Sequence, residues 1–133
     1  MSLIQNLPLL AGLCIAAFLF YLAGEDRKPH PNAWIVPALF CTMFLGWSLF
    51  AVISEGLFGF WTEHTRNIWG VQIWFDLLLA ISIALTFLIP EARRVGMRPL
   101  PWIILILCTG SIGILAMMSR LLFLRDSQGS VAG

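Results

Sequence analysis

The chain has 133 residues, of which 59% are hydrophobic and 11% charged, with a mean hydropathy of +0.89 and a formal net charge of +1. A soluble domain carries about 25% charged residues, so this composition argues against a water-soluble globule and predicts an all-α integral membrane four-helix bundle filling residues 1–133 as a single domain. No length remains for a separate soluble catalytic domain. Near-neutral charge without a clustered basic face gives no basis for nucleic-acid binding.

The first apolar run covers about residues 7–24, with Pro8 near its start, where a missing N–H is tolerated. Gly12, Ala16 and Ala17 form a small-residue patch that admits another helix. No Lys or Arg precedes this run and no cleavage motif leads into a polar chain, so a cleaved signal peptide is not expected. Residues 24–32 then bring glycine, charge and two prolines together as a polar loop. The second span is predicted over residues 33–53. Pro37 one turn in permits a bend, and Thr42 and Ser48 can bond the backbone of the preceding turn.

Residues 54–67, SEGLFGFWTEHTRN, are too polar to span and too aromatic to float free, so they read as an interfacial aromatic segment, a short helix or turn at headgroup depth. His64 beside Glu63 could bind a metal or relay protons, but no second His or Cys stands near, and no metal site is expected. Cys14, Cys41 and Cys108 all lie in apolar runs without a C-x-x-C pair and read as small packing residues.

The third span, residues 68–90, carries Asp76 inside its apolar run. A carboxylate at such depth costs about 2.5–3.5 kcal/mol on insertion scales, so it should face protein or water, not lipid. Gln72 lies one turn earlier and shares its face. Residues 91–99 form a basic loop in which Glu91, Arg93 and Arg94 are topological charges or contacts for a lipid headgroup or partner. The fourth span is predicted over residues 100–124, with Trp102 as an interfacial anchor and Gly110, Ser111 and Gly113 as a close-packing cluster. The tail, residues 127–133, is small and polar and is expected to be disordered.

An antiparallel third and fourth helix would put Asp76 at the depth of Ile114, with Arg120 about 9 Å further along by helix rise. Gln72, Asp76 and Arg120 are thus a candidate polar core; Arg120 could equally snorkel outward or pair with another molecule. Five cations (Arg27, Lys28, Arg93, Arg94, Arg98) flank the first and third loops against three (Arg66, Arg120, Arg125) on the other side. The positive-inside rule then places both termini on the non-cytoplasmic side of a bacterial inner membrane.

The C-terminal half, from Asp76 through Glu91-Ala92-Arg93-Arg94-Val95-Gly96-Met97-Arg98 and Trp102 to Leu122-Phe123-Leu124-Arg125-Asp126, resembles a bacterial family of small multi-pass membrane proteins classed as a domain of unknown function. A weaker similarity, through an intramembrane Asp and a following arginine-rich turn, links it to integral-membrane proteins of carotenoid and terpenoid metabolism. The chain departs from those in having four predicted spans and Gly110-Ser111-Ile112-Gly113 where a Gly-Pro is expected.

The sparseness of deep ionisable residues favours a non-enzymatic structural or accessory subunit of a larger membrane complex. Its partners would be membrane lipid and other membrane-protein subunits or a second copy, with a lipid, carotenoid or quinone as the class of apolar cofactor it could hold. One alternative is an isoprenoid cyclase-type enzyme with Asp76 as catalytic acid and Trp74, Phe75 and Phe44 shaping a hydrocarbon pocket. Another is a small proton-coupled transporter built around Asp76.

Overall fold

The computed structural model describes residues 3–23 and 31–131. These residues are all-helical, forming six helices and no strand. The polar loop with Arg27 and Lys28, and residues 132–133 of the tail, lie outside the described residues. Packing divides the chain into two compact units, Met1–His30 and Pro31–Gly133. The described residues of the first form α1 (Leu3–Ala23), which continues through Pro8.

The second unit begins with α2 (Ile35–Glu55). Pro37 falls in its first turn, where backbone N–H groups have no partner within the helix, so the proline removes nothing and no bend is needed. Gly56, at φ 84°, ends α2 and donates its N–H to the Val52 carbonyl. The aromatic segment that follows contains a short helix, α3 (Gly59–Thr65).

Helix α4 (Ile68–Arg94) starts at Asn67, whose Oδ1 accepts the Gly70 N–H at 2.8 Å. Pro90 does not close this helix as expected. It sits one turn from the end, and the helix runs on to Arg94 before Gly96, at φ 80°, reverses the chain. Twenty-one residues of α2 and 27 of α4 give lengths of about 31 and 40 Å, and these are the two described helices long and apolar enough to cross a membrane.

The predicted fourth span is not one helix. Residues 100–124 are divided between α5 (Pro99–Thr109) and α6 (Ser111–Val131). Between them Gly110 takes φ 62°, a conformation that favours glycine, and returns its N–H to the Ile106 carbonyl at 2.6 Å. Seven residues of straight helix would separate Ile106 from Gly113 by about 10 Å. Instead a Cβ added at Gly113 would lie 2.8 Å from the Ile106 Cα and 2.9 Å from its N. Helix α6 therefore turns back onto α5, backbone against backbone.

Side-chain and backbone partners fix the direction of α6. The Cys41 thiol reaches the Ile112 carbonyl at 3.5 Å, the Ser119 hydroxyl donates to the Trp34 carbonyl at 3.1 Å, and the Asn32 N–H donates to Asp126 Oδ2 at 3.2 Å. As the α6 number rises the α2 number falls, so the two run antiparallel, and the edge-on pair Trp34–Phe123 (5.5 Å between centroids) belongs to the same register. The end of α6 thus lies at the start of α2. The expected disordered tail is helical through Val131, with the Ser127 hydroxyl on the Phe123 carbonyl at 2.9 Å.

The buried apolar side chains are few. Ala92, Met97, Ile106, Met117 and Leu121 form one cluster where α4, α5 and α6 meet, with Ile81, Leu85, Leu88 and Trp102 packed against it. Met117 on α6 shares this cluster with Ala92 near the end of α4, so α5 and α6 both sit at the C-terminal end of α4. Eleven residues of α5 reach only about 16 Å from that end before the chain turns back. Helices α5 and α6 together form a hairpin packed on the C-terminal end of α4.

Gly113 is consequently the most demanding position in the hairpin. Gly113→Ala should lower stability by about 1–3 kcal/mol through overpacking against Ile106 backbone. Gly46→Ala, where an added Cβ meets nothing within 4 Å, should be neutral or stabilising by up to about 1 kcal/mol. Thermal unfolding in mild detergent compares the two.

Candidate functional site

The site residues read from the sequence occupy three separate places. Gln72 and Asp76 lie on the outer face of α4 and are both exposed, and Arg120 on α6 is exposed too. Among the described residues Gln72, Asp76 and Arg120 do not come together as the expected polar core. Among the described residues the ion pairs are Arg66–Glu63 (3.4 Å) and Arg94–Glu91, neither of which involves Asp76. Arg120 instead lays its guanidinium over Phe123, 5.7 Å from the ring centroid, which directs it toward the C-terminal end of α6. The depth match of Asp76 with Ile114 assumed a continuous fourth helix, and the reversal at Gly110 removes that basis.

Asp76 differs from the other polar side chains of the α4 span. Ser82 donates to the Leu78 carbonyl at 2.8 Å and Thr86 to the Ser82 carbonyl at 2.9 Å, so both are satisfied by their own helix. A carboxylate has only acceptors and a helix has no spare N–H at mid-length to offer it. Gln72 likewise carries two N–H donors that the helix does not use. Asp76 and Gln72 thus face outward from the apolar stretch of α4 with no hydrogen-bond or ion-pair partner among the described residues.

Gly110, Ser111 and Gly113 come together as the tip of the α5–α6 hairpin. Gly113 is buried and the other two half-buried. Glu91, Arg93 and Arg94 lie at the opposite extreme, in the last turn of α4. Glu91 bonds Arg94 there, while Ala92 between them is fully buried in the core. Arg93 and Arg94 also stand where cations favour the carbonyl end of a helix.

The structure brings together a set of residues that the sequence reading left scattered. Helix α3 is held against the start of α4 by Gly70, where an added Cβ would meet the Glu63 carbonyl oxygen at 2.5 Å. This closeness stacks the His64 ring edge-on to Trp74 at 5.2 Å, with Phe60 at 6.1 Å from Trp74. His64 Nδ1 lies 2.6 Å from the Phe60 carbonyl, and since a carbonyl only accepts, Nδ1 carries the hydrogen and donates. Beside it, Phe44, Trp47 and Val52 of α2 with Phe60, Glu63 and His64 of α3 line an open groove of about 390 Å³ that Glu55 and Gly56 close at the turn. Asp76 does not line this groove, so the acid and the aromatic wall containing Phe44 are apart. No group of three or more metal-ligating side chains occurs among the described residues.

The signals for these features were present in the sequence but short. Glu55-Gly56 and Thr109-Gly110-Ser111 each pair a helix stop with a residue that favours a turn or a new start. No family model matches this chain, and no curated protein or solved structure is significantly similar to it. The roles of the site residues therefore rest on their geometry.

Asn67 and Gly70 hold the α3–α4 corner. Asn67→Ala should cost about 1 kcal/mol by freeing the Gly70 N–H, and Gly70→Ala should displace α3 outright. Both changes should redden tryptophan emission as Trp74 loses its cover from His64 and Phe60, and fluorescence in detergent measures this directly.

Proposed function

We propose that this chain is an integral-membrane protein acting as a structural or accessory subunit, covered in its working state by lipid and by helices of other subunits. The observation that carries this reading is the contrast between apolarity and burial. In the most apolar window of α2, 6% of the residues are buried, and in that of α4 none are. A core helix of a soluble protein is buried, and soluble monomers rarely leave contiguous apolar patches beyond a few hundred Å² uncovered. Large exposed side chains such as Phe50, Ile53, Trp69 and Phe87 are suited to hydrocarbon, not water.

In this reading α2 and α4 cross the bilayer and the α5–α6 hairpin enters from one side and leaves on the same side. Non-helical backbone at Gly110 is tolerable at such depth because its N–H is returned to the Ile106 carbonyl. The end holding Arg93, Arg94, Arg98, Arg120 and Arg125 carries five cations among the described residues against Arg66 alone at the other end. The positive-inside rule makes that end cytoplasmic. The C-terminal end of α6 is then cytoplasmic too, in place of the outward C-terminus expected from four crossings. Helix α3 with Phe60 and Trp61, and Trp69 at the start of α4, lie at the far interface, and the groove beside α3 is where a lipid or apolar cofactor would rest.

Alkaline carbonate extraction followed by size analysis in a gentle detergent tests this reading. The protein should stay with the membrane pellet and elute within an assembly larger than its own 14.9 kDa. Release into the carbonate supernatant would contradict the membrane reading, and a lone monomer in detergent would contradict the subunit reading.

A further inference from the structure

We propose that the groove between α2 and α3 binds one phospholipid whose headgroup carries a primary amine, as in phosphatidylethanolamine. The inference rests on the membrane reading above and names the lipid class for the groove described there. Phe44, Trp47, Ser48, Ala51, Val52 and Glu55 line it as a single stripe of α2, at the three- and four-residue spacings of one helix face. From Phe44 to Glu55 the stripe is about 16 Å long by helix rise, with aromatic rings at one end and a carboxylate at the other. The Glu55 side chain folds over Gly59, its Oε2 3.7 Å from where a Cβ there would stand. Glu63 follows Gly59 by one turn of α3 and shares its face. Two carboxylates therefore stand at the outer end of the groove. Glu63 has Arg66 at 3.4 Å, whereas Glu55 has no hydrogen-bond or ion-pair partner among the described residues.

Charge and the order of polar groups select the occupant. A carboxylate only accepts, so what Glu55 lacks is a donor, best a cationic one. The chain's own first helix has no Lys, Arg or His side chain to supply it. The cations of residues 27–30 lie within four residues of Pro31, about 14 Å of extended chain, while the 21 residues of α2 set Glu55 about 31 Å from the start of that helix. A phospholipid presents, from the surface inward, its amine, its phosphate, its ester carbonyls and its acyl chains. The groove presents partners in the same order. Glu55 and Glu63 face the ammonium, Arg66 beside Glu63 faces the phosphate, and the Ser48 hydroxyl, two turns before Glu55 and about 10 Å deeper, faces an ester carbonyl. Trp47 and Phe44 then cover the chain. Ser48 is half-buried and, unlike Thr42, which donates to the Ala38 carbonyl at 2.9 Å, makes no hydrogen bond to another described residue. A lysine of another subunit would satisfy Glu55 alone, whereas the lipid satisfies Glu55, Arg66 and Ser48 together. An anionic headgroup without an amine would be repelled by the two carboxylates. A primary ammonium brings three N–H donors to them and a trimethylammonium brings none. The groove volume of about 390 Å³ falls within the range of ligand clefts, about 300–1,000 Å³.

Native mass spectrometry of the full chain in gentle detergent, with equimolar phosphatidylethanolamine and phosphatidylcholine of identical acyl chains, tests the assignment, because the two lipids differ only in the methyl groups on nitrogen. The ethanolamine lipid should be retained about tenfold over the choline lipid, the worth of one hydrogen bond to a charged group. Glu55→Gln combined with Glu63→Gln should bring the two lipids to parity, while Asp126→Asn, at the opposite end of α2, should leave the preference intact. Ser48→Ala should lower retention of both lipids by about two- to threefold without changing their ratio, since both carry the ester carbonyl. Equal retention of the two lipids by the unaltered chain, a preference for the choline lipid, or an ethanolamine preference that survives the double substitution would overturn the proposal. Carbonate extraction of the same preparation separates these results from failure of the membrane reading. A protein that stays in the pellet without the preference contradicts the lipid assignment alone, and one released to the supernatant contradicts the membrane reading.

Discussion

The fold of the second unit depends on one close approach, Gly113 against the backbone of Ile106. Where a side chain at 113 would hold two helices about 8–10 Å apart, glycine lets α6 lie directly on α5, and that closeness makes the reversal at Gly110 a packed feature instead of a kink. The packing around the end of α4 follows from it. Ile106 is carried into the same cluster as Met117 and Leu121, Ala92 and Met97 close it from the end of α4, and Asp126 arrives beside Asn32. Without the reversal α6 would run on away from the C-terminal end of α4 and none of these contacts could form.

The hairpin covers only part of the two long helices. It reaches to about Cys41 on α2, so the stretches of α2 and α4 beyond that level are flanked by α3 and by nothing else in the second unit. This division explains why the two unexplained chemical features, the outward Asp76–Gln72 pair and the aromatic groove between α2 and α3, both lie in the same half of the molecule. One half is a small self-sufficient core. The other leaves large apolar side chains of α2 and α4 exposed, the feature on which the proposed subunit role rests.

The sequence made the long helices legible because a run of about 20 apolar residues has few other uses. It did not reveal the hairpin, since hydropathy across 100–124 is continuous and a reversal changes direction without changing polarity. The stop-and-start residues Thr109-Gly110-Ser111 carried that information in three positions out of 25 and also fit simple close packing. Asp76 was harder for a different reason. In an aqueous helix the polar stripe marks the outside, but in a membrane helix the lipid-facing and protein-facing residues are equally apolar, so no pattern distinguishes a carboxylate turned inward from one turned outward. The sequence reading put Glu91, Arg93 and Arg94 in a loop, whereas they form the last turn of α4, and it did not reveal that the α6 segment with Arg120 and Arg125 returns toward that end.

In the proposed topology α5 and α6 enter and leave on one side of the membrane. Labelling of single cysteines introduced at Arg98, Thr62 and Gln128 with a membrane-impermeant reagent, in sealed vesicles of each orientation, tests it most directly. The account requires positions 98 and 128 to react from the same side and position 62 from the other; reaction of 98 and 128 from opposite sides would contradict it.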